Sequence, residues 1–105
     1  MKEQPNLSYI HQLSGGDKDF ENKLLAVVNR ELPEEAEIFL SNLKSGDFKE
    51  AASNVHKLKH KISILGLEES YCFAELYEDE LREGINNRQA EFEEILQGML
   101  IFIKS

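Results

Sequence analysis

Little in this chain can form a cross-link, a sheet or a membrane span. It has a single cysteine, Cys72, in 105 residues, so no disulfide can close within it. A lone thiol suits a reducing compartment, and a cytoplasmic location is the expectation. Cys72 itself is expected to pack as a small apolar residue. Two prolines and six glycines are too few for a disordered or fibrous chain. No apolar run approaches the roughly 18 residues of a membrane helix, and the longest, "MLIFI", fits the end of a bundle helix. The opening "MKEQPNLSYI" lacks the apolar core of a secretory signal. A net charge of −8 runs against nucleic-acid binding, which needs a basic footprint. No segment alternates apolar and polar residues with β-branched enrichment, so no strand is expected. There is also no glycine-rich nucleotide loop and no Asp/Asn cluster arranged for Mg²⁺, which excludes a self-contained kinase.

What is present is helical periodicity. The expected elements are helices over 7–13, 17–44, 47–65, 67–83 and 87–104. The first is short, capped by Asn6, and would bury Tyr9, Ile10 and Leu13. Asp17 caps the second, whose stripe runs Phe20, Leu24, Val28, Leu32, Ala36, Phe39 or Leu40, and Leu43. Pro33 interrupts that stripe without shifting its phase, which predicts one long helix kinked there rather than two. Gly46 closes it, and Asp47 with Glu50 makes a capping box for the third. The third buries Phe48, Ala51, Val55, Leu58, Ile62 and Leu65. The fourth draws on Leu67, Tyr71, Ala74, Tyr77 and Leu81, widened by Phe73 and Leu76. Asn86 and Gln89 offer a capping pair for the last, which buries Phe92, Ile95, Leu96, Met99, Phe102 and Ile103. Short connections favour antiparallel neighbours. The expected architecture is therefore a single all-α domain, an antiparallel up-down four-helix bundle with a short N-terminal cover helix. A monomer is the simpler expectation.

One absence is local. From Ala51 to Leu67 there is no Asp or Glu, although the chain holds 20 of them. Inside that window lies "VHKLKHKISILG". At ~100° per residue, His56, His60 and Ser63 turn away from the apolar stripe, with Lys59 between them and the core. Lys59 and His60 neighbour His56 one turn on, and Ala52 and Ser63 are too small to wall in the imidazole. Lys57 and Lys61 fall off this face and are expected to be solvated. An exposed neutral imidazole is a nucleophile able to attack a phosphoryl group, and a nearby lysine can stabilise the phosphoryl oxygens. The donor and its metal would have to come from another protein.

The stretch resembles the phosphorylation motif of histidine-containing phosphotransfer (HPt) domains: His, any residue, Leu, Lys, Gly, then Leu-Gly a few residues later. His56, Leu58, Lys59, Leu65 and Gly66 match it. "NLSYIHQLSGGDKDF", "SGDFKEAASNVHKLK" and "YEDELREG" extend the likeness over nearly the whole chain. The resemblance implies that His56 is the phospho-acceptor, through Nε2, and that Lys59 is its charge partner. It implies a phosphocarrier with no kinase activity of its own, relaying phosphoryl groups between receiver-domain aspartates in a two-component phosphorelay. Its partners would be receiver domains of response regulators or hybrid sensor kinases, not nucleic acid or membrane. The chain would bind no cofactor or metal itself, with Mg²⁺ held by the partner receiver. It could equally be free-standing or a piece of a larger sensor kinase.

One position departs from the pattern. The family's glycine four residues after the histidine is His60 here. An imidazole there crowds an approaching receiver loop or adds a donor near the phosphate, an auxiliary role. It also favours the alternative reading, a helical adaptor that binds a receiver or another signalling partner without accepting phosphate. His56 and His60 have the spacing of helical zinc ligands, but no third ligand is evident and the lysines repel a cation. His11 is expected to be structural or simply exposed.

Overall fold

In the computed structural model, which describes residues 3–104, five helices follow one another and no strand occurs among the described residues. They are α1 (Ser8–Ser14), α2 (Lys18–Lys44), α3 (Phe48–Ile64), α4 (Glu68–Arg82) and α5 (Gln89–Lys104). The expected boundaries lie within a few residues of these. Asp17 caps α2 by accepting the N–H groups of Asp19 and Phe20, and Asp47 caps α3 by accepting that of Glu50. Asn6 sits one residue before the first cap position of α1 and accepts the N–H of Ser8 at 3.1 Å. The expected pairing of Asn86 with Gln89 exists between their side chains at 2.9 Å, while Asn86 Oδ1 accepts the buried Tyr77 hydroxyl at 2.6 Å.

Pro33 lies inside an unbroken α2. Proline removes one helical N–H, which leaves the carbonyl of Asn29 without its partner. Asn29 is on the exposed side, where water can supply the missing bond.

The helices close over one apolar core. Val28, Leu32 and Phe39 of α2, Val55, Leu58 and Ile62 of α3, Tyr77 and Leu81 of α4, and Phe92 and Met99 of α5 are all fully buried. Each such side chain contributes about 1.5–3 kcal/mol by leaving water. At the centre the Phe39 ring meets Tyr77 and Phe92 edge-on, at centroid distances of 6.2 and 5.3 Å. α3 lies between α2 and α4. Asn42 bonds Asn54, while Glu31 and Glu35 pair with Lys61. Moving up α3 therefore means moving down α2, and these two helices are antiparallel.

Several expected burials fail. On α1 only Ile10 is buried, while Tyr9 and Leu13 are 40% and 51% exposed. A seven-residue helix lying on the bundle has one inward position, and its other apolar side chains flank it. Phe20 at the start of α2 and Leu76 on α4 are also exposed. Lys61, expected to be solvated, is buried and paired with Glu31 at 2.9 Å and Glu35 at 3.2 Å on α2. Burial alone would lower its pKa, but the bonds and charges of these two glutamates outweigh it and hold the ammonium above its ordinary value.

Two loop features fasten the end of α3 to the rest. Gly66 has φ +75°, and a Cβ there would meet Asn6 Oδ1 at 2.5 Å. Asn6 cannot easily withdraw, because its N–H donates to the carbonyl of Leu65 at 2.8 Å. A Gly66→Ala variant is expected to lose about 1–2 kcal/mol, read as a lower urea midpoint at unchanged slope.

Glu3 does for α4 what no residue of α4 does. Leu67 at the cap position offers no side-chain acceptor, and the Glu3 carboxylate takes the N–H groups of Glu69 and Ser70, both at 2.9 Å. Burial pushes this carboxyl up, yet the backbone bonds outweigh it, and its pKa lies below the ordinary value of 4.5. A depressed carboxyl stabilises the fold above its unfolded pKa and loses that contribution as pH falls through the lower folded value. Glu3→Gln is therefore expected to lose about 1 kcal/mol at neutral pH. The difference from wild type should vanish in acid unfolding curves taken well below pH 4.5.

Candidate functional site

The face of α3 that turns toward α4 carries the candidate residues. His56 stands over half exposed, its side chain 56% accessible. It is not sunk among the aliphatic residues of α3, because Val55 and Leu58 take the inward positions beside it. Its Nδ1 lies 3.3 Å from one carboxylate oxygen of Glu78 and 3.4 Å from the other. An ionised carboxylate only accepts hydrogen bonds, so Nδ1 must carry the proton that the pair shares. In the neutral ring that leaves Nε2 with a free lone pair. No hydrogen-bond partner of Nε2 occurs among the described residues.

Glu78 is the hub of this cluster. Its side chain is only 9% exposed, and besides His56 it binds Lys59 Nζ at 3.0 Å and Arg82 Nη2 at 2.8 Å. Burial pushes its pKa up, but the bonds from Arg82 and Lys59, the Lys59 charge and the His56 bond together hold it below 4.5. Lys59 is drawn in by the same contact. Its side chain is 11% exposed and its ammonium lies 5.5 Å from the centre of the Tyr71 ring. Burial would lower its pKa, and the bond and charge of Glu78 reverse the sign and raise it.

This corrects the electrostatic expectation. The window from Ala51 to Leu67 is free of acid in sequence but not in space, since α4 delivers a carboxylate into it. Two fixed cations, Lys59 and Arg82, share one anion there, so the bonded cluster keeps a net positive charge. Lys59 is not a loose cation beside the imidazole but is tied to the same carboxylate.

His60 stands next to His56. Their rings meet edge-to-face, with centroids 5.7 Å apart and planes at 90°. His60 is exposed, and its ring nitrogens have no hydrogen-bond partner among the described residues. His11 lies elsewhere, with Nδ1 3.1 Å from Glu21. Ser14 also donates to Glu21, at 2.7 Å.

The chain matches no family model, no curated protein and no solved structure. Its chemistry is therefore read from the cluster itself.

Glu78 and Arg82 were missed in sequence. They lie on the next helix, among other acids at Glu75, Asp79 and Glu80. A signal was nevertheless there. Ser70, Ala74, Tyr77, Glu78 and Leu81 are all buried and recur at the spacing of one helical stripe, so a carboxylate sits on the inward face. Such a group must find donors, and the window on α3 supplies them.

A shallow groove of about 320 Å³ opens beyond Tyr71, lined by Tyr9, Ser63, Gly66, Tyr71 and Cys72 among others. Cys72, expected to be a packing residue, is exposed at its rim. Among the described residues no group of three or more His, Cys, Asp or Glu side chains could hold a metal ion. Among them, too, no helix is long and apolar enough to cross a membrane.

Proposed function

We propose that this chain is a histidine phosphotransfer protein of the HPt kind, an antiparallel helical bundle that carries a phosphoryl group on Nε2 of His56. The observation that carries the reading is the exposed imidazole anchored through Nδ1 on a buried, ionised glutamate. The anchor fixes the tautomer and leaves Nε2 with the lone pair that a nucleophilic imidazole needs.

The transfer balances as follows. The Nε2 lone pair forms a bond to the phosphorus of a receiver aspartyl phosphate as the bond to the aspartyl oxygen breaks. The aspartate leaves as a carboxylate, and no proton moves. The phosphorylated ring keeps its Nδ1–H and so bears a positive charge, which the Glu78 carboxylate 3.3 Å away stabilises. Passing the group to a second receiver aspartate reverses these steps. Mg²⁺ and the acidic machinery would belong to the receiver. Lys59 has ammonium donors beyond the one on Glu78, and these would meet the phosphoryl oxygens. The exposed face around His56, with Tyr9 and the Tyr71 groove beside it, would receive the partner in a small interface of modest affinity.

The test is to incubate the protein with phosphorylated receiver domains and follow the label. Transfer gives a protein-bound phosphate that is lost in acid and stable in base. Binding without label, from every receiver offered, would sink this reading in favour of an adaptor.

A further inference from the structure

We infer that His60 is a phosphoryl-binding residue: a ring N–H of His60 donates to the oxygens of a phosphoryl group on His56 and holds it against hydrolysis. The inference rests on the phosphotransfer reading and adds to it a second residue at the same site.

Three observations converge. The His60 ring stands edge-to-face with His56 at 5.7 Å, so the two imidazoles border the same exposed patch of α3. The His60 nitrogens are unpartnered among the described residues and His60 is exposed, so a donor is available at no cost of breaking another bond. Lys59 and Arg82 each commit a donor to Glu78, which leaves them only part of their capacity for a phosphoryl group. A phosphoryl group has three oxygens to satisfy, and beside the remaining Lys59 donors His60 is the exposed neighbour whose ring N–H is uncommitted.

The charged surroundings favour such a contact. On α3 the ring is flanked by His56 and the exposed Lys57, and α4 presents its carboxylate to Nδ1 of His56 and to Lys59. The acids of α2 that face α3, Glu31 and Glu35, pair with Lys61 on the other side of the helix. No ion pair ties His60 itself to a carboxylate among the described residues, so nothing there competes with a phosphoryl oxygen for its proton.

The test loads the protein with phosphoramidate, whose P–N bond breaks as Nε2 of His56 bonds to phosphorus. Ammonia departs with its own three protons, so the charges balance. Three proteins are compared at one fixed pH: wild type, His60→Gln and His60→Leu. Glutamine and leucine give similar cover, but only glutamine keeps an N–H donor. The expected result is that His60→Leu shortens the half-life of phospho-His56 by about fivefold, the worth of one net hydrogen bond. It should also displace the ³¹P resonance, with His60→Gln staying near wild type on both readouts. A merely structural His60 would move neither. Equal half-lives and unshifted ³¹P signals in all three proteins would overturn the inference while leaving phosphotransfer standing. Label on His60 itself, or no label on His56, would take both readings down.

Discussion

Replacing His56 by glutamine is expected to remove all acid-labile phosphate from the protein while leaving its fold intact. The size of the effect follows from the chemistry: an amide has no lone pair that can attack phosphorus at neutral pH, and of the three histidines only His56 is anchored on a carboxylate that also binds a lysine. The fold should survive because the side chain is 56% exposed and glutamine can still donate to Glu78. Such surface changes cost within ~0.5 kcal/mol. His11→Gln is the matched control. That histidine also bonds a carboxylate, at 3.1 Å from Glu21, but on α1 and α2 rather than in the Lys59 cluster. It should label like the wild type. Label surviving in His56→Gln would place the acceptor elsewhere, and mass spectrometry of base-stable phosphopeptides would say where.

How much of this was legible in the sequence depends on range. Asp17, Asp47 and Gly46 announce their helix ends because capping is settled within a turn of chain. The long helix through Pro33 was legible because the apolar phase on either side agrees. The exposure of His56 was legible for the same reason, since a wheel needs only the core stripe for reference. What failed needed knowledge of a neighbouring helix. Lys61 and Lys59 look like surface lysines until α2 and α4 bring Glu31, Glu35 and Glu78 against them. On α4 Leu67, Ala74, Tyr77 and Leu81 are buried as expected, but Ser70 also turns inward while Tyr71 stays half-buried over Lys59 and Cys72 is exposed.

The second large effect should come from Glu78. Glu78→Ala removes one buried acceptor and strands the donors it served, above all Lys59, whose side chain is 11% exposed. Leaving a largely buried ammonium without its partner is expected to cost roughly 2–3 kcal/mol, more than loss of an exposed pair, which is worth at most ~1 kcal/mol. Urea unfolding at neutral pH measures it. The pH dependence fixes the cause. The folded Glu78 carboxyl titrates below 4.5, so its contribution is fully present above the unfolded pKa and fades as pH falls through the folded value. Wild type and Glu78→Ala should therefore differ most near neutrality and converge in acid. A gap that stayed constant with pH would mean lost packing rather than lost charge. Glu78→Gln separates folding from chemistry. Its amide oxygen can still accept from Nδ1 of His56, so the tautomer survives, but it carries no charge to set against the cationic phospho-imidazole. Its label should form at the same nitrogen yet be less stable, by about tenfold for each 1.4 kcal/mol of electrostatic stabilisation removed. Phosphohistidine half-lives equal in wild type and Glu78→Gln would show that the carboxylate orients the ring and does nothing for the charge it acquires.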